Sequence, residues 1–236
     1  MPGMTPMVQR IMIACGVIWL LQLVLGRSGV PLTELGAVSV SGVFEHGFFW
    51  QPFTYMWLHS TESPWHLVMN MFSLWMFGGQ LEMVWGSQRF LRFYVLCGAG
   101  AGAVILAWNA LVGVWAPTLG ASGAIYGVLT AFSLLWPDRT IMLLFPPIPM
   151  RAIWFIPFLF AIQLAMGGQE NVSTVGHLGG VLVAGLLLRG EVQRALGLRT
   201  LRYRWHRMRM RNRLRAVRRE ELERKPRSDD DRPTLH

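Results

Sequence analysis

Apolar residues along the chain gather into long runs, broken by short polar stretches and by clusters of glycine and proline. Phe93 to Trp115 and Ser122 to Trp136 contain no charged residue at all. A helix needs about 20 such residues to cross the hydrocarbon core of a bilayer. The pattern predicts six spans, at about Gln9 to Leu25, Trp65 to Gly78, Phe93 to Trp115, Ser122 to Trp136, Ala152 to Met166 and Val172 to Leu188. Pro64 suits the first turn of the second span, and Pro157 is expected to kink the fifth. The expected fold is all-α: a polytopic membrane bundle of six transmembrane helices over residues 1–190, then a basic, partly disordered cytoplasmic tail over 191–236.

Between the first two spans, Gly26 to His46 is long for a connection. Its Val38 to Phe44 segment and the following Phe48 to Trp50 are apolar and aromatic enough to rest at the membrane interface. The stretch Thr140 to Met150 holds three prolines and has no readable course, whereas Gly167 to Asn171 reads as a short polar loop. Ile11 to Leu25, preceded by Arg10, has the outline of a signal peptide but no small-residue cleavage site before Gly26-Arg27, and so reads as a span.

Composition agrees with lipid surroundings: 53% of the residues are hydrophobic, against roughly 45–50% in soluble proteins. Charge is distributed unevenly. Sixteen of the 22 basic residues and seven of the 13 acidic ones lie from Arg189 onward, so the whole net charge of +9 belongs to the tail. Beside a last span, such a tail is expected to orient the chain and touch anionic lipid headgroups; no nucleic acid partner is expected. Cys15 and Cys97 sit in separate apolar runs, with neither disulfide nor metal-ligand spacing.

Six spans would put both termini on one side, together with the connections after spans 2 and 4. That side collects Arg10, Arg89, Arg92, Arg139, Arg151 and the tail, and the other side only Arg27. The positive-inside rule then makes both termini cytoplasmic, and the location expected is a bacterial inner membrane. Spans 2, 4 and 6 all begin at the outer face. Near those starts lie His66 and Asn70, then Ser122 and Tyr126, then His177. At about 1.5 Å per residue all five fall in the outer half of the membrane. Intramembrane polar side chains are functional candidates.

No Asp or Glu lies within spans 2 to 6, because Glu82 falls at the cytoplasmic edge in the turn after span 2. This weakens an aspartyl protease, which needs paired carboxylates, and a carboxylate-relay transporter. His-Glu-x-x-His and Gly-x-Ser-x-Gly are both missing, so a zinc protease and an α/β-hydrolase lack their motifs; no metal or cofactor is expected. Taken alone, the octapeptide Gly120-Ala121-Ser122-Gly123-Ala124-Ile125-Tyr126-Gly127 also fits plain close packing of small residues between helices.

Four landmarks occur in order: His66-x-x-x-Asn70, Gly79-Gln80-Leu81-Glu82 with Gly86-Ser87, Gly120-Ala121-Ser122-Gly123 with Tyr126, and His177-Leu178-Gly179-Gly180. Together they resemble the rhomboid family of intramembrane serine proteases, over about residues 50 to 190. The resemblance implies a rhomboid-like bundle in which Ser122 is the nucleophile, His177 is the general base and Tyr126 packs on His177. It assigns His66, Asn70, Gly120 and backbone N–H groups around Ser122 to the oxyanion site. It also implies transmembrane protein substrates, cut near the outer face. Many relatives carry Trp-Arg in the first loop where this chain has Trp50-Gln51, which puts a guanidinium-to-lipid contact there in doubt. His59 reads either as lining a watery approach to the site or as an interfacial residue.

Two other readings stand beside the protease. A catalytically inactive relative would act as a membrane scaffold or chaperone, and such proteins typically lack the serine or the histidine. A small-molecule channel would line its pore with the same polar cluster, yet here that cluster stops half-way across the membrane.

Overall fold

The computed structural model describes residues 4–142, 147–165, 171–190, 192 and 210, with no description of the side chains at 171–173. The chain divides into two units, Met1–Val192 and Gln193–His236, and the first is described here. The basic tail, apart from Val192 and Met210, lies outside the described residues, as does the Gly167 to Glu170 loop.

Among the described residues ten α-helices run in chain order: α1 Pro6–Arg27, α2 Leu32–Gly36, α3 Val40–Phe44, α4 Gln51–Thr54, α5 Pro64–Ser73, α6 Gly79–Trp85, α7 Ser87–Val112, α8 Ser122–Leu135, α9 Phe155–Ala165 and α10 Asn171–Leu187. A π turn at Leu74–Gly78 joins α5 to α6, so the second predicted span continues to Trp85. Among the described residues two helices, α1 and α7, are long and apolar enough to cross a membrane; α8, α9 and α10 are shorter and apolar. Glu82 lies in α6, not in a turn, because the chain reverses only at Gly86, whose φ of +80° favours glycine.

Glu82 fastens the start of α1. Its carboxylate accepts from the backbone N–H groups of Met7 (2.8 Å) and Val8 (2.9 Å) and from the hydroxyls of Thr5 and Ser87. The first N–H groups of a helix have no partner within it, so a carboxylate from α6 serves as the cap. Glu82→Gln turns one of the accepting oxygens into a donor facing these N–H and O–H groups, and should cost about 1.5–3 kcal/mol. Thermal unfolding of the two proteins in detergent, with a lower midpoint for Glu82→Gln, checks it.

The core lies where α7, α8 and α10 meet, and small residues set their separation. A Cβ on Gly127 would come within 2.6 Å of Cys97 Cβ, and one on Gly179 within 3.0 Å of the Ala101 backbone. At Gly180 it would overlap the carbonyl oxygen of Gly123. Cys15 and Cys97 are free and buried.

Two expectations change, at Pro157 and in the first connection, and the unread stretch after α8 gains a course. Pro157 is the third residue of α9, where a missing N–H breaks no helical bond, so α9 needs no kink there. Thr140–Met142 (β1) and Pro149–Arg151 (β2) form a small antiparallel hairpin within the otherwise helical fold, Ile141 facing Met150. The first connection does not simply rest at the interface: Val38, Val40 and Val43 are buried, while Phe44 and Phe49 stay exposed. Gln51 organises it. Fully buried, it accepts from the Ser39 N–H at 3.1 Å and donates to the Glu34 carbonyl at 3.0 Å. Val38 then pairs with Thr118 through bonds of 2.8 and 2.9 Å, which ties this connection to the segment leading into α8.

Candidate active site

Ser122 is the first residue of α8. The chain reaches it through Gly120, whose φ of +127° is rarely open to a residue with a side chain. Space excludes one too: a Cβ there would lie 2.7 Å from His66 Cε1, 2.9 Å from His66 Nε2 and 3.9 Å from Ser122 Oγ. The imidazole of His66 is thus laid against the Gly120 backbone, on the side of the serine hydroxyl. The Gly120 N–H donates to Tyr55 O at 3.0 Å, and the buried Tyr55 hydroxyl donates to Gly98 O at 2.8 Å, which fixes this turn on α7.

His66 sits in the first turn of α5, with the Ser60 N–H donating to its Nδ1 at 3.4 Å. One turn on, buried Asn70 donates from Nδ2 to the His66 carbonyl at 2.8 Å. An amide has a second N–H to offer. His59 is fully buried with its ring 5.3 Å from that of His66, so the interfacial alternative fails. Its own N–H donates to Gln22 Oε1 at 3.0 Å, packing it against α1.

Tyr126 lies one turn after Ser122, on the same face of α8. Its ring stacks on that of His177, with centroids 4.0 Å apart and planes inclined by 9°. A serine and a histidine 55 positions apart are thereby brought to one corner of the α8–α10 contact. No hydrogen bond joins Ser122 to His177 among the described residues; such bonds are often long before substrate arrives. Groups of three or more His, Cys, Asp or Glu suited to a metal are also missing among the described residues.

The structure adds a residue that sequence reasoning missed. Gln163, in the last turn of α9, brings Oε1 to 3.2 Å from His177 Nδ1 and donates from Nε2 to Thr174 Oγ1 at 2.9 Å. A search for carboxylates passes over it. The usable signal was a lone amide in an uncharged apolar run.

Comparison with known proteins matches residues 46–191 to the Rhomboid domain. The chain belongs to the rhomboid family. It is accordingly an integral membrane protein of polytopic, all-helical fold, in a family that consists generally of intramembrane serine proteases. The matched span takes in every site residue described above, from His59 to His177. Among similar proteins, RHOMBOID-like protein 1 of Arabidopsis thaliana is 34% identical over 165 residues, 70% of this chain and 40% of that protein. Rhomboid protein 1, mitochondrial, of Saccharomyces cerevisiae is 35% identical over 131 residues, 52% of this chain and 37% of that protein. Presenilin-associated rhomboid-like protein, mitochondrial, of Homo sapiens is 31% identical over 123 residues, 51% and 32% of the two chains. The matches thus span less than half of each relative. Relatives with mitochondrial names give the bacterial inner membrane expected above no support.

Proposed function

We propose that this rhomboid domain is a serine endopeptidase that cleaves transmembrane segments of membrane proteins near the outer face. The observation that carries the reading is the stack of Tyr126 on His177, which sets a base one helical turn from the hydroxyl that opens α8. A serine hydroxyl is a weak nucleophile until a base takes its proton. In the proposed reaction His177 Nε2 accepts the Ser122 Oγ proton as Oγ attacks the scissile carbonyl. The same proton passes to the leaving amine, and a water then hydrolyses the acyl-enzyme by the reverse sequence. Negative charge on the tetrahedral oxygen would be met by the second N–H of Asn70, by His66 and by backbone N–H groups at the Gly120–Ser122 turn, donors already fixed before reaction. The scaffold reading draws no support from the site, since serine and histidine are both in place.

The six spans comprise α1, the α5–α6 run, α7, α8, α9 and α10, with both termini on the side rich in arginine. The domain boundary near residue 190 and the contact of the tail with anionic lipid belong to the same proposal. The test is incubation of the reconstituted protein with a single-span substrate, followed by mass mapping of the products. A cut within the span, in its outer half, is expected; binding without a cut would favour the scaffold.

Asn70→Ala should lower turnover by about 10- to 1000-fold without abolishing it, since one donor among several is lost. Tyr126→Phe should keep most activity, because only the ring meets His177. Initial rates in detergent check both, and a silent Asn70→Ala beside a dead Tyr126→Phe would reverse the two roles.

A further inference from the structure

We infer that Gln163 is a positioning residue for the base, with its side-chain carbonyl holding the proton of His177 on Nδ1 so that Nε2 stays free to face Ser122. This rests on the protease reading above.

The geometry is specific. α9 is apolar throughout except for Gln163, and the neighbours Ile162 and Leu164 are exposed, at 41% and 71%. Gln163 turns inward. Both ends of its amide are used within the bundle, Oε1 toward His177 Nδ1 at 3.2 Å and Nε2 toward Thr174 Oγ1 at 2.9 Å. Thr174 and His177 are three residues apart on α10 and therefore share a face, so one glutamine spans both.

A neutral imidazole carries one proton, and the partner of one nitrogen decides what the other can do. With a carbonyl oxygen at Nδ1, that nitrogen is the donor and Nε2 keeps its lone pair. The opposite amide orientation would donate to Nδ1 and move the proton to Nε2, a tautomer that cannot accept from serine. Ring stacking by Tyr126 fixes the plane of the imidazole but does not choose between its tautomers. Gln163 makes that choice. It stands where serine proteases with a third member place a carboxylate, but as a neutral group that carries no charge into the membrane.

The experiment has two arms on the full chain in detergent. In the first, protein labelled with nitrogen-15 at its six histidines is studied by NMR, with His177→Ala assigning the signal. Wild type should show the His177 proton on Nδ1, and Gln163→Leu should show a mixture of tautomers or the proton on Nε2. A wild-type proton on Nε2, or an unchanged Nδ1 signal in folded Gln163→Leu, overturns the inference. In the second arm, Gln163→Leu should lower kcat by about 10- to 100-fold with KM little changed. Gln163→Glu, which restores an oxygen acceptor, should recover most of the loss. Equal loss in both variants, or a change confined to KM, also overturns it. If Gln163→Leu does not fold, Gln163→Met takes its place, and the wild-type tautomer remains decisive. Failure of wild type to cleave would instead count against the protease reading, leaving the tautomer measurement to judge Gln163 separately.

Discussion

Ser122→Ala should reduce cleavage of a membrane-spanning substrate by about 10⁶-fold, to the level of a no-enzyme control, and His177→Ala should do nearly the same. Where a nucleophile and its base act as a unit, removal of either costs about as much as removal of both. The double variant is therefore expected to be no worse than either single one. Neither change should disturb the fold. Ser122 and His177 are only half-buried, and neither belongs to the apolar core around α7 and α8. Thermal unfolding in detergent together with product formation over a long incubation checks both halves of the expectation. Near-wild-type turnover by folded Ser122→Ala would remove the proposed mechanism.

The second large effect is expected at a residue that has no side chain. Gly180→Ala puts a methyl where the Gly123 carbonyl already stands, within 3.3 Å of the Gly127 nitrogen as well. A backbone neighbour cannot rotate away as a side chain would, so α8 and α10 have to separate. Overpacking of this kind costs about 1–3 kcal/mol, and more where backbone must move. The catalytic cost is larger, because α8 carries Ser122 and α10 carries His177. A displacement of about 1 Å between reacting groups can cost 10²-fold in rate. Gly185, on the same helix, has no atom within 4 Å of a built Cβ. Gly185→Ala should be neutral or stabilising by up to about 1 kcal/mol, through helix propensity alone. Unfolding midpoints and turnover of the two alanine variants, measured side by side, separate close contact of α8 with α10 from a general intolerance of alanine.

The sequence shows the polar residues of the site because each is an exception in its surroundings. Serine, histidine and asparagine in uncharged runs stand out, and helical spacing alone pairs His66 with Asn70 and Ser122 with Tyr126. The glycines of α7 and α10 are legible for a similar reason: they are too many for isolated helices and suit helices whose backbones touch. Features that depend on contacts between distant segments are not legible. Glu82 looks like a residue of a cytoplasmic turn until the start of α1 is seen on its carboxylate. Gln51 looks like a departure from the Trp-Arg of many relatives, yet it binds Ser39 and Glu34 and leaves Gly42 no room for a side chain. Pro157 suggests a kink only while the start of α9 is unknown. Gln163 becomes meaningful when α9 is seen beside α10, since no spacing rule links it to His177.

The measurement that bears most directly on the central claim is active-site labelling of the folded, detergent-solubilised protein with a fluorophosphonate, with the adduct located by peptide mass mapping. The reagent bonds to a serine whose proton a base has taken, and it needs no knowledge of the natural substrate. A single adduct on Ser122, lost in both Ser122→Ala and His177→Ala, is the predicted result. An unlabelled wild type, an adduct on another serine, or labelling of Ser122 that persists in folded His177→Ala would contradict a Ser122–His177 dyad.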